Sequence, residues 1–237
     1  MKLSIAIPTY EMHGKGKEFL EFSFQKLLEQ TFHDFEIIIS DHSKDNEIKN
    51  LCDLWSTKLK IKYLKNEEKI GNSSSNINNA VRHCNGDWIK ILFQDDFLFN
   101  SNSLENTTNE IKKQLTGDWL ISACEHSPDG HQMTRKFFPK YHDQIHLGNN
   151  TISSPSVLTI RNNPNLIFFD ENLVWLMDVE YYKRLHQKFG DPIILNEITV
   201  VNRTSSFQLS NFISEETKRK ELLYVMSKFQ TFSNKIF

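Results

Sequence analysis

Short, solidly apolar runs alternate with amphipathic stretches through residues 1–100. The run at 3–7 closes at Pro8 and predicts a strand buried on both faces. Residues 17–30 place Leu20, Phe24, Leu27 and Leu28 on one helical stripe. A second strand is expected at 35–39. It runs into the turn-rich stretch from Ser40 to Asn46, where Asp45 is a candidate cap for a helix carrying Ile48, Leu51, Cys52 and Trp55. A third strand follows at 61–64, then a helix at 76–84 stopped by Asn85-Gly86. A fourth strand at 88–93 runs toward Asp95 and Asp96. Alternation of this kind predicts an α/β fold with a parallel, doubly wound sheet flanked by helices. Ligands of such sheets bind off the carboxyl ends of the strands. The polar clusters Thr9-Tyr10-Glu11, Asp41-His42-Ser43 and Gln94-Asp95-Asp96 should therefore meet in one crevice.

The second half is less regular. A helix is expected at 103–115, with Leu104, Thr108, Ile111 and Leu115 on one side, and a strand at 119–124. Residues 126–150 are polar and hold four histidines, His126, His131, His142 and His146. A loop that long inside a compact domain points to a mobile lid or binding loop on the acceptor side. A strand at 152–161, a helix at 178–189, a strand at 193–201 and an amphipathic helix at 215–232 complete the pattern. Neither repeats nor linkers break it, so one domain is expected over 1–237.

Composition narrows the function. The 237 residues are 38% hydrophobic and 24% charged, with a formal net charge of −2, as in an ordinary globular protein without a basic field for nucleic acid. Cys52, Cys84 and Cys124 are widely spaced and form no CxxC pair, which suits buried thiols of a reducing compartment. The N-terminal apolar run reads as a core strand and not a leader. No stretch approaches the ~20 apolar residues that cross a bilayer. The expected location is the cytoplasm, free or at a membrane surface.

The sharpest chemical signal is Asp95-Asp96 at the end of an apolar strand. Adjacent carboxylates repel unless a cation joins them, and Mg²⁺ or Mn²⁺ takes oxygen ligands. Two solvated aspartates in a turn are the plain alternative. Asp41 closes the second strand, where a carboxylate suits a ribose hydroxyl or a base N–H, or simply a turn. Tyr10 can stack on a base or pack over the strand end. Asp178 follows Trp175-Leu176-Met177 near a helix start, a fitting place for a general base and equally for an N-cap. Phosphate-loop, dinucleotide, HExxH and GxSxG motifs are absent.

In order, LSIAIPTY, FEIIISDHSKD, GNSSSNINNAVRHCNGDWIKILFQDD and WLMDVEYY resemble glycosyltransferase family 2 over roughly residues 1–205. The resemblance implies a GT-A fold, with a nucleotide-binding half at 1–100, an acceptor half at 101–210 and a terminal helix at 211–237. It implies an inverting, metal-dependent transfer from a UDP-, GDP- or dTDP-sugar to a hydroxyl of a glycan or glycoconjugate. Thr9, Tyr10 and Asp41 would hold the nucleoside, and Asn78 matches an asparagine of the ARNxG helix. The family's D-x-D-D run reads Phe93-Gln94-Asp95-Asp96 here, leaving Asp95 and Asp96 to hold Mn²⁺ or Mg²⁺. Asp178 matches the base of the ED motif, with Met177 replacing Glu. Arg203 matches a basic residue near the diphosphate. The histidine that often follows it is absent, with Ser205 and Ser206 nearby.

Two rivals remain at the level of sequence. A sugar nucleotidyltransferase would need a glycine-rich basic loop after the first strand, which PTYEMHGKGKEF fits poorly. A non-catalytic nucleotide- or carbohydrate-binding module is favoured by the lost first Asp, and opposed by keeping Asp41, Asp95, Asp96 and Asp178 together.

Overall fold

The computed structural model describes residues 1–114, 116–204 and 213–233. Leu115, Ser205 and Ser206, named above, lie outside the described residues, as do parts of the expected 211–237 segment. The first strands form where the apolar runs predict them, as β1 (Leu3–Thr9), β2 (Phe35–Asp41), β3 (Ile61–Lys65) and β4 (Trp88–Ile91). Every residue of β2 and β4 is buried, because helices cover both faces of a parallel sheet. Helix α1 (Gly16–Leu28) buries Leu20, Phe24 and Leu27. Leu28, expected on the same stripe, is 43% exposed. Helix α2 (Glu47–Trp55) buries Ile48, Leu51, Cys52 and Trp55 as predicted.

Helix α3 (Ser73–Arg82) starts a turn earlier than its apolar residues suggest. The Asn72 side chain accepts a hydrogen bond from Ser75 N at 2.8 Å. A cap of that kind offsets the poor helix propensity of three serines. Next come β5 (Phe97–Leu98), α4 (Ser103–Lys113), β6 (Trp119–Ser127), β7 (Arg135–Phe137), β8 (Leu158–Arg161), α5 (Met177–Phe189), β9 (Ile193–Arg203) and α6 (Glu215–Ser233).

The strands form one nine-stranded sheet in the order β3-β2-β1-β4-β8-β6-β9-β5, with β7 paired to β6. Strands β1 to β4, β6 and β9 run in one direction, and β5, β7 and β8 run against them. The expected α/β architecture is thus present, with antiparallel strands entering in the second half.

Two expectations about that half are corrected. Residues 126–150 are not one irregular lid. Strand β7 pairs antiparallel with β6 from Cys124 to His126, and a 3-10 turn forms at Ile145–Leu147. Polarity hid this hairpin because an edge strand needs only one buried face. The strand expected at 152–161 is shorter. Only Leu158–Arg161 pairs, after a 3-10 turn at Pro155–Val157, where proline removes a ladder donor. The three cysteines are free and buried.

Candidate active site

The shared strand direction carries the ends of β1, β2, β4, β6 and β9 to one edge of the sheet. A cleft of about 800 Å³ opens there, and Tyr10, Asp95, Asp96, Asp178 and Arg203 line it. Those five were singled out from sequence positions far apart.

Thr9 and Asp41 lie beneath the cleft, both fully buried. Register pairs them across β1 and β2. Asp41 Oδ1 accepts from Thr9 Oγ1 (3.1 Å), Ser43 N (2.9 Å) and Ser43 Oγ (2.7 Å), and Oδ2 accepts from Tyr63 OH (2.8 Å). This carboxylate ties three strands and the turn after β2 together. Asn78 is equally committed. Its amide donates to Phe169 O (2.9 Å) and Glu171 Oε1 (3.0 Å) and accepts from Phe169 N (2.8 Å). Asn78 thus fastens α3 to the chain ahead of α5 and does not reach the cleft. Asn76 is the α3 asparagine that does, with its amide on Thr9 O at 3.0 Å.

Asp96 is held on all sides. Oδ1 accepts from Arg203 N (2.9 Å), and Oδ2 accepts from Asn202 Nδ2 (2.8 Å) and Ser154 Oγ (3.1 Å). Burial pushes its carboxyl upward against these bonds. Asp95 is raised by burial and then by the charge of Asp96, while Arg203 pulls it down. Two carboxylates crowded out of water carry an unmet need for positive charge. Among the described residues no cluster of three or more His, Cys, Asp or Glu forms a metal cage. A pair of carboxylates is nevertheless a fitting donor set for a hard ion that shares its other positions with phosphate oxygens.

Sequence reading missed Lys90, a fully buried lysine in β4. Its ammonium donates to the carbonyl of Ser156. Burial pushes it down to about 7, and the charges of Cys124 and Asp96 act against that. Its position inside an apolar run gave no sign of this role.

Asp178 is the second residue of α5, and the cap position belongs to Leu176. The alternative reading of Asp178 as an N-cap therefore fails on geometry. Oδ1 accepts from Val179 N and Oδ2 from Asn150 Nδ2, both at 2.7 Å. Burial raises the Asp178 carboxyl to about 6, with these two bonds opposing. Asn150 belongs to a tight turn that ends at Ser153, whose φ of +91° is unusual for a residue with a side chain. That turn holds Ser153 O on Tyr182 OH (3.1 Å) and Ser153 Oγ on Asn202 Oδ1 (3.0 Å). Hydrogen bonds thus run unbroken from Asp178 through Asn150, Ser153 and Asn202 to Asp96. Strain of this kind concentrates at functional sites.

The sequence profile of Glycosyl transferase family 2 matches residues 4–183, more than half of the chain. The chain belongs to glycosyl transferase family 2. The chain is 28% identical over 123 residues to the GalNAc(5)-diNAcBac-PP-undecaprenol beta-1,3-glucosyltransferase of Campylobacter jejuni, covering 51% of the chain and 38% of that protein. An uncharacterized glycosyltransferase of Rickettsia prowazekii is 23% identical, over 94% of the chain and 70% of its own length. S. aureus TarS 1-349 in complex with UDP-GlcNAc superposes with a TM-score of 0.71 at 18% identity, over 90% of this chain and 62% of that one. Mannosyltransferase PcManGT from Pyrobaculum calidifontis, in complex with GDP-Man and Mn²⁺, gives 0.67 at 14% identity, over 97% and 64%. The chain thus spans well under half of the Campylobacter protein and somewhat less than two thirds of these solved chains. At such identities the likeness shows the fold, which is the GT-A fold expected above.

Phe93 stands where the family's D-x-D-D run has its first Asp, and Gln94 beside it has a structural role of its own. Gln94 Oε1 accepts from Tyr10 N at 2.6 Å, and its Nε2 donates to Tyr10 O at 3.0 Å. An aspartate cannot make the second bond. Gly16 completes the arrangement, since a Cβ there would lie 2.2 Å from Tyr10 O and 2.7 Å from Gln94 Nε2. Arg203 sits over the rings of Phe19 (4.8 Å), Phe22 and Phe97 (5.2 Å each), a cation–π setting that fixes the guanidinium. Gly130 leaves room for it. Any Cβ there would lie 2.3 Å from an Arg203 nitrogen.

Proposed function

We propose that this glycosyltransferase moves a sugar from a nucleoside-diphosphate sugar to a hydroxyl of a glycan or glycoconjugate, with inversion. The observation that carries this reading is the joining of Asp96 to Asp178 through Asn202, Ser153 and Asn150 within one cleft. One site then holds two crowded carboxylates suited to a cation and a third carboxyl raised toward neutrality. UDP-GlcNAc and GDP-Man in the solved neighbours support a nucleotide-sugar donor, and Mn²⁺ beside GDP-Man supports a divalent ion. In this reading residues 1–100 are the donor half and 101–210 the acceptor half of one domain.

Asp95 and Asp96 would hold Mn²⁺ or Mg²⁺. Such an ion, when bound, neutralises diphosphate charge as a Lewis acid. Tyr10, locked by Gln94, faces the nucleoside. Thr9 and Asp41 act from below by fixing the ends of β1 and β2. Asn78 acts by holding α3. Arg203 offsets the charge that develops on the leaving diphosphate. Asp178 accepts the proton of the acceptor hydroxyl as that oxygen bonds to the anomeric carbon. The bond from that carbon to the diphosphate oxygen breaks, and the diphosphate leaves with the electron pair. A carboxyl near 6 is mostly ionised at pH 7 and close enough to neutrality to take a proton in the transition state. A single displacement without an enzyme nucleophile inverts the centre.

The Campylobacter relative's name describes a lipid-linked glycan. An acceptor presented at a membrane surface fits this chain, in which no described helix is long and apolar enough to cross a membrane. The test is release of sugar from UDP-GlcNAc and GDP-Man, with Mn²⁺ and with EDTA. Metal-dependent release is expected from one of them. Equal release in EDTA would remove the metal from the mechanism.

A further inference from the structure

Leu176 at the cap position of α5 has no side-chain acceptor, and the residues leading into it lie outside the helical ladder. Three consecutive N–H groups ahead of Asp178 need a partner. The partner comes from the far end of the chain. Glu221 of α6, 6% exposed, accepts from Val174 N through Oε1 and from Trp175 N and Leu176 N through Oε2, each at 2.9 Å. A carboxylate at the positive end of a helix is also favoured by the helix dipole.

The rest of that α6 face grips the same region. Tyr224 OH donates to Asp170 Oδ2 at 2.8 Å. Lys228 Nζ bridges Asp170 Oδ2 and Glu180 Oε1, both at 2.6 Å. Val225 between them is fully buried. Residues 221, 224, 225 and 228 recur at helical spacing on one side. They meet the segment that enters α5 and the first turn of α5, where Asp178 and Trp175 face the cleft.

We propose that Glu221 is a positioning residue for Asp178, fixing the entry into α5 and with it the place of the Asp178 carboxyl in the cleft. Its importance for transfer rests on the reading of Asp178 as the base. The groups acting on Asp178 are few. Glu221 from α6 pushes its proton affinity up as a like charge. Tyr182 faces it from the next turn of α5. Asn150 donates to it from the turn before Ser153.

The experiment needs no substrate. Amide exchange at 174–176 and the titration of the Asp178 side-chain carboxyl are followed by NMR in wild type, Glu221→Gln, Glu221→Leu and Tyr224→Phe. The Asp178 signal is identified by its loss in Asp178→Asn. Glu221→Gln keeps the shape and one acceptor but removes the charge. It should speed exchange of the three amides on the order of tenfold, the scale of losing a hydrogen bond to a charged group. The Asp178 midpoint should fall below about 6. Glu221→Leu should show larger exchange effects. Tyr224→Phe loosens the same helix face and should leave the Asp178 midpoint in place. Unchanged amides or an unmoved midpoint in folded Glu221→Gln would overturn the proposal, as would an equal midpoint shift in Tyr224→Phe. None of these outcomes depends on Asp178 being the base, so failure here is separable from failure of that reading.

Discussion

The side-chain amide of Asn150 donates to Asp178 Oδ2 at 2.7 Å, and its oxygen accepts from Ile152 N and Ser153 N at 3.0 and 2.9 Å. Asn150 thereby fixes both the turn and the carboxylate. A donor to the ionised form lowers a carboxyl's proton affinity. Asn150→Ala should therefore move the acidic limb of the rate profile to higher pH and slow transfer, with donor affinity retained. An unmoved limb would show that Asn150 serves only the turn.

Asp178→Asn keeps size and shape but cannot accept a proton at neutral pH. A positioned base contributes ~10²–10⁴-fold, and the rate should fall by that factor with nucleotide binding intact. Near-normal transfer would falsify the base assignment. Two other acids near α5 are poor substitutes for Asp178, since Asp170 and Glu180 are taken up by Lys228 and Glu180 also by Arg184.

The pH dependence of stability has a definite sign. Asp178 is raised from 3.8 to about 6 in the folded chain, so between those values the folded state binds more protons than the unfolded one. Stability from this group is present at low pH and lost as pH rises toward 6. Asp178→Asn should melt at a higher temperature than wild type at pH 7, and the gain should shrink at pH 4. Equal gains at both pH values would contradict the raised carboxyl.

Asp95 and Asp96 make the same trade more sharply. Both are raised by burial, so their charge opposes folding at neutral pH when no cation is supplied. Asp95→Asn should raise the melting temperature in EDTA and abolish the further rise that Mn²⁺ with UDP gives wild type. Calorimetric titration with UDP checks the binding half. Equal affinity in EDTA and Mn²⁺ would sink the metal role.

Gln94→Asp should harm this chain. It loses the bond to Tyr10 O and sets a third carboxylate beside two raised ones. A lost hydrogen bond costs ~1 kcal/mol, and lower thermal stability with weaker UDP binding is expected. A variant as stable as wild type would show that the Tyr10 loop is held by Gly16 packing alone.

Local pattern was enough to place most of the donor half. Buried parallel strands read as apolar runs and α1 to α3 as stripes, because each element's burial is written in its own residues. That sufficed to bring Tyr10, Asp95 and Asp96 to one edge, where the family resemblance added Asp178 and Arg203. Thr9 and Asp41 had the right neighbourhood, but whether a carboxylate faces a ligand or its own fold depends on donors from other strands. Tyr63 of β3 and Ser43 decided it. The same reason hid Lys90, whose acceptor is a distant carbonyl. Strand β7 was lost in a polar stretch because its signal lies in pairing with β6 and not in its composition. Glu221 was invisible as one acid of a charged helix, since its three partners begin 47 residues earlier in the chain. Sequence by itself determined the order of strands and helices in the first half, their parallel direction and the acids Asp95 and Asp96 at the edge. Only tertiary structure decided which acid is spent on backbone amides and which is left raised in the cleft, because proton affinity and reach are set by neighbours that no local window contains.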